Sequence, residues 1–150
     1  MDPQLSIRKI LNHTPPPWAA NSDAYFITIN SLPRGTNQLA NQENGYAILE
    51  SAKHYHLNQK WYCRLLVIMP DHLHVLASFP VDVNLNAFIS AWKSYLTKNK
   101  KIQWQRDFFD HRIRNDENLD EKADYIRQNP VRAGLATKYE DWPWKWDLYR

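Results

Sequence analysis

The sequence predicts an α+β fold: an antiparallel sheet with helices packed on it. Three observations lead there. Residues 61–69 and 72–79 are two apolar or alternating runs joined by Pro70-Asp71, which is a hairpin. Residues 25–30 (YFITIN) are β-branched and aromatic, a further strand. Helical patterns stand on either side of the hairpin, so helices and antiparallel strands are interspersed.

Each element has its own reason. Residues 1–24 read as an N-terminal arm, because Pro15, Pro16 and Pro17 favour an extended polyproline segment and oppose helix. Residues 25–150 then form one domain, a length that fits a single core. After the first strand, residues 31–35 (SLPRG) form a loop and residues 37–56 a helix, with Asn44-Gly45 as an expected interruption. Residues 84–100 form a helix in which Leu85, Phe88, Ile89, Trp92 and Leu96 make one apolar face. Residues 108–114 alternate as a strand. Asn115 or Asp116 caps a last helix with an acidic first turn, and Pro130 is expected to end it near Asn129. Leu119, Ala123 and Ile126 form its apolar stripe.

Composition narrows the function classes. The chain is 43% hydrophobic and 13% aromatic, which is globular. Cys63 is the only cysteine, so neither an internal disulfide nor a cysteine-rich zinc site can form. No apolar run is long enough to span a bilayer and no signal-peptide pattern is present, so a soluble cytoplasmic protein is expected, with no membrane partner. The net charge is only +3, but residues 85–115 hold seven Lys and Arg against Asp107 and Asp110, a balance of +5. Such a stripe can meet phosphates, and it equally suits an ordinary solvated surface.

The chemistry-bearing residues lie in two places. His72 and His74 are two apart on a strand, so both imidazoles leave the same face. Two neutral imidazoles on a rigid strand can hold a metal that keeps open positions, as catalysis needs. The same pattern also fits two surface histidines. On the last helix Asn118, Lys122, Tyr125 and Asn129 fall along one flank of the apolar stripe. Tyr125 and Asn129 are neighbours at i, i+4, so a phenol and an amide oxygen share one surface. A half-buried tyrosine and a helix-ending asparagine are the plainer reading of the pair.

Three blocks together are more specific. Residues 69–76 (Met-Pro-Asp-His-Leu-His-Val-Leu) resemble the histidine–hydrophobic–histidine, or HUH, signature of single-tyrosine transposases. Residues 104–114 (WQRDFFDHRIR) resemble the segment before the catalytic helix in those proteins, and residues 125–135 (YIRQNPVRAGL) resemble that helix and its exit. In order and spacing, over residues 25–144, the chain resembles the branch called REP-associated tyrosine transposases. The resemblance implies a ferredoxin-like sheet in an HUH single-tyrosine transposase fold, with the two histidines on a central strand. It implies Tyr125 as the nucleophile, His72 and His74 as metal ligands, and Asn129 as the third ligand where many insertion-sequence relatives have glutamine. It implies Mg²⁺ or Mn²⁺ as cofactor and single-stranded or hairpin DNA from repetitive palindromic elements as partner. It also suggests a monomer, with a dimer as the alternative, in a bacterial, nucleoid-associated setting. Arg34, Lys93, Lys98, Lys100, Lys101 and Lys122 are the expected nucleic-acid contacts, and Trp142, Trp144 and Trp146 are candidates either for base stacking or for packing on the sheet.

Overall fold

A computed structural model describes residues 15–20, 22–114 and 118–149. In chain order the elements are α1 (Pro17–Ala20), β1 (Ala24–Asn30), α2 (Gln42–Leu57), β2 (Tyr62–Ile68), β3 (His72–Ser78), α3 (Leu85–Lys100), β4 (Phe109–Ile113), α4 (Leu119–Arg127), α5 (Asn129–Arg132), a 3-10 turn (Tyr139–Asp141) and β5 (Lys145–Asp147). The five strands make one antiparallel sheet in the order β4-β1-β3-β2-β5, which is the α+β arrangement expected. The histidine strand β3 is central. No helix among the described residues is long and apolar enough to cross a membrane.

The two faces of the sheet differ, and the difference creates the site. Ile27 and Ile29 of β1, Leu66 and Ile68 of β2, and Leu73 and Val75 of β3 alternate onto one face and are all buried. Buried residues of α2 (Ile48, Leu49) and α3 (Ile89, Trp92, Leu96) join them in one core. Trp92 ties the two helices by donating Nε1–H to Ser51 Oγ at 2.8 Å. The opposite face carries Phe26, Thr28, Asn30, His72 and His74, none fully buried. There α4 lies over Leu65 of β2 and Leu76 of β3, and Thr28, Asn30, His72 and His74 stay partly exposed.

Several sequence expectations need correction. The polyproline segment does not exclude helix, because Pro17 opens the turn α1, and proline suits a first helical position. Ala19 of that turn is buried in the core. Helix α2 starts at Gln42, capped by Asn41, later than residue 37, and it runs through Asn44-Gly45 without a break. Gly45 is there for space: a Cβ would stand 2.5 Å from Cε3 of Trp144. The proposed caps Asn115 and Asp116 lie outside the described residues, and Asn118, at the N-cap of α4, makes no side-chain cap bond. Pro130 does not end the helical path at Asn129. Helix α4 stops at Arg127, and Pro130 is accepted in the first turn of α5. Strand β5 was not expected at all.

Candidate active site

The register aligns His74 with Thr28 of β1, and Thr28 with Phe109 of β4, in one row across three strands. His72 pairs with Asn30 in the next row on the same face. The two imidazole centroids are 4.9 Å apart. Each ring is oriented from behind. His72 Nδ1 lies 2.9 Å from Asp71 Oδ1, and a carboxylate only accepts, so Nδ1 carries the hydrogen of this bond and Nε2 is left outside it. His74 Nδ1 lies 2.9 Å from Thr28 Oγ1, which accepts in the tautomer that leaves Nε2 free. Among the described residues neither Nε2 has a protein partner. Burial, then His72 and Arg132, holds His74 neutral by lowering its pKa to about 3. Two rings with Nδ1 engaged and Nε2 unpartnered share the form of metal-ligating histidines with their supporting partners. No group of three or more His, Cys, Asp or Glu side chains suited to a metal occurs among the described residues.

Asp71 braces the same end of the sheet. Its carboxylate accepts from His72 and from the Gly35 backbone N–H at 2.8 Å, with Arg34 Nε 3.6 Å away. Burial opposes its charge, but these contacts prevail and hold the carboxyl below its ordinary value. Arg34 also donates to Asn30 Oδ1 at 2.6 Å and to the Asp71 carbonyl at 3.0 Å. It is thus already engaged, beside the histidines.

Tyr125 projects from α4 over the same face. It is 56% exposed, and its ring lies 6.4 Å from that of Phe26, which in turn is 5.4 Å from His74. Asn129, at the start of α5, is half-buried, and its side chain makes no hydrogen bond among the described residues. An amide left without a protein partner fits an oxygen ligand. Lys122 lines a shallow cavity of about 230 Å³ with Phe26, Thr28, Phe109, Asp110 and His111, next to the row that holds His74. Of the expected flank, Lys122 and Tyr125 therefore face the sheet surface that bears the histidines.

The basic residues of α3 are distributed differently. Lys93 Nζ donates to the carbonyls of Gln105 and Asp107, both at 3.0 Å, and so pins the segment leading to β4. Lys98 lines a cleft of about 830 Å³ between α3 and residues 102–108. Lys100 lies 3.5 Å from Glu43 of α2, and Lys101 is the left-handed C-cap of α3. These last three also complement the helix dipole. The chain after them returns to the site: Leu32 N–H bonds to Gln103 O at 2.9 Å, and Gln105 N–H to Asn30 O at 2.8 Å. The tryptophans take the packing role. Trp142 and Trp146 are buried, donating to the carbonyls of Ile68 and Cys63, and Trp144 lies against Gly45 and Tyr46.

Three features had no clear signal in the sequence. Thr28 looked like any strand threonine. Arg127, Tyr139 and Asp147 form a buried network: Arg127 Nε donates to Asp147 Oδ2 at 2.8 Å, and so does Tyr139 Oη at 2.8 Å. Burial works against the Arg127 charge, but Asp147 outweighs it and holds the guanidinium above its ordinary pKa. The network ties α4 to β5. Arg132, finally, stacks its guanidinium over the Tyr125 ring at 4.4 Å.

No protein-family model matches the chain. A relative named REP-associated tyrosine transposase in Haemophilus influenzae is 32% identical over 139 residues, covering 80% of this chain and 77% of the relative. Another of that name in Escherichia coli is 27% identical over 126 residues, covering 79% and 73%. A solved REP-associated tyrosine transposase bound to a REP hairpin superposes with a TM-score of 0.69 at 26% identity, covering 88% of this chain and 81% of that one. A transposase structure from Deinococcus radiodurans, at 13% identity and a TM-score of 0.51, covers 75% of this chain and 91% of that one, and shares the fold. Fold and sequence identity agree, and the chain belongs to the REP-associated tyrosine transposases.

Proposed function

We propose that this transposase is a metal-dependent single-stranded DNA endonuclease and strand transferase that works through a 5′-phosphotyrosine on Tyr125. The observation that supports this most is the sharing of one open sheet face by two oriented histidines and an exposed tyrosine, with Phe26 touching both Tyr125 and His74. His72 and His74, through Nε2, and Asn129, through its amide oxygen, would hold a divalent cation. A nitrogen and oxygen set suits Mn²⁺ or Mg²⁺, which when bound would polarise the scissile phosphate.

The chain's own residues do the rest. Tyr125 Oη attacks the phosphorus and loses its proton to solvent or to a nearby base such as Lys122. The bond to the 3′ oxygen breaks, and that oxygen leaves as a free 3′-hydroxyl once protonated. The new phosphotyrosine ester preserves the phosphodiester linkage energy. A 3′-hydroxyl then attacks the same phosphorus, the phenol regains its proton, and the strands are joined without ATP. Thr28 and Asp71 keep the imidazoles in one tautomer and orientation. Arg34, Lys93, Lys98, Lys100, Lys101 and Lys122 are proposed to contact the backbone phosphates. Hairpin DNA of the REP type is the proposed substrate, as bound by the solved relative. Action as a monomer is part of the proposal.

Incubation with hairpin DNA carrying single-stranded flanks, with Mn²⁺ and denaturing electrophoresis, tests this. A covalent protein–DNA band is expected, and it should be absent in Tyr125→Phe. Cleavage that survives Tyr125→Phe would instead mean a hydrolase using water. No adduct across a broad hairpin panel would mean a protein that binds without cutting.

A further inference from the structure

Tyr125 is exposed, and an exposed phenol on a helix ordinarily samples several rotamers. A nucleophile that does so spends little time in line with its target. Two contacts restrict this one. Phe26 lies tilted by 47° against the ring, at 6.4 Å. Arg132 lies over the ring with its guanidinium carbon 4.4 Å from the centroid.

The local chain explains how Arg132 gets there. Pro130 has no N–H to continue the helix, so α4 gives way to α5. The Tyr125 carbonyl, among the last four of α4, accepts Arg132 Nη2 at 2.9 Å. One guanidinium thus holds the backbone oxygen and the ring of the same residue.

We propose that Arg132 is the positioning residue of Tyr125: clamped to its carbonyl and stacked on its ring, it holds the phenol against Phe26 on the histidine face. The consequence for catalysis rests on the phosphotyrosine reading, but the clamp itself does not, and the test separates them.

The test uses the full chain with 3-fluorotyrosine at position 125, in the parent and in Arg132→Gln and Arg132→Lys. Fluorine NMR without DNA or metal reports the ring directly. In Arg132→Gln the resonance should move toward that of free fluorotyrosine and narrow, with the melting temperature unchanged, because Arg132 is exposed. Arg132→Lys keeps a cation and a donor and should restore part of the shift. In unlabelled protein with hairpin DNA and Mn²⁺, adduct formation should slow by about ten- to a hundred-fold in Arg132→Gln while hairpin affinity holds. A resonance that does not move in Arg132→Gln overturns the clamp. A loss of affinity equal to the loss of rate also overturns it, because Arg132 would then be a DNA contact. If the parent forms no adduct with any hairpin, the phosphotyrosine reading fails and the fluorine spectra alone decide on the clamp.

Discussion

Replacing Asp147 with alanine should loosen α4 from the sheet. The Asp147 side chain is fully buried and that of Arg127 is 9% exposed, so the bidentate pair, 2.8 and 3.3 Å long, is shielded from water. Removing Asp147 leaves the buried Arg127 charge to Asp124, 2.9 Å away and 61% exposed, at a cost of about 3–5 kcal/mol. Tyr139 loses its acceptor in the same step. For a chain of this size each kcal/mol moves the melting temperature by about 2–4 °C, so a fall of roughly 6–20 °C is expected. Thermal and urea denaturation of the parent and Asp147→Ala would measure it. A triple variant, Arg127→Met, Tyr139→Phe and Asp147→Leu, removes the polar groups together and should recover most of the loss. If Asp147→Ala loses less than about 1 kcal/mol, the range for an exposed pair, the reasoning from burial is wrong. If the triple variant is no better than the single one, the cost does not come from stranded polar groups.

Two further outcomes follow from the same geometry. His56, buried against Trp146 and accepting from Cys63 N–H, has its pKa lowered by burial to about 4. The native state therefore resists a proton that the unfolded chain takes up near pH 6.5, so this stability is complete above that value and is lost as pH falls toward 4. Urea midpoints should drop across that window, and drop less in His56→Gln. Thr28→Val keeps the shape but removes the partner of His74 Nδ1, and should weaken Mn²⁺ binding by about ten- to a hundred-fold in calorimetry. An unchanged affinity would remove Thr28 from its supporting role.

Much of the site was legible because its signals are local. A two-residue period puts His72 and His74 on one face, and a helical period puts Tyr125 and Asn129 on one flank. Helix α3 announced itself through its apolar stripe. What was not legible depends on contacts distant in sequence. Gly45 looked like a helix breaker, yet Trp144, 99 positions later, needs the space its missing side chain leaves. Trp142, Trp144 and Trp146 suggested stacking platforms as readily as packing on the sheet, and only pairing with β2 shows that residues 145–147 complete the sheet. Pro130 suggested a stop, whereas the helical path resumes after a break and brings Arg132 back over Tyr125. The partnership of Arg127 with Asp147 crosses 20 positions and has no periodic signature.

The central claim is that Tyr125 is the residue that joins the DNA. Mass spectrometry of the adduct trapped on hairpin DNA with Mn²⁺, after digestion of protein and nucleic acid, tests it most directly. The account predicts a nucleotide attached through a 5′ phosphate to the peptide bearing Tyr125, and no adduct in Tyr125→Phe. A nucleotide on any other residue, or cleaved DNA with no adduct at all, would contradict it.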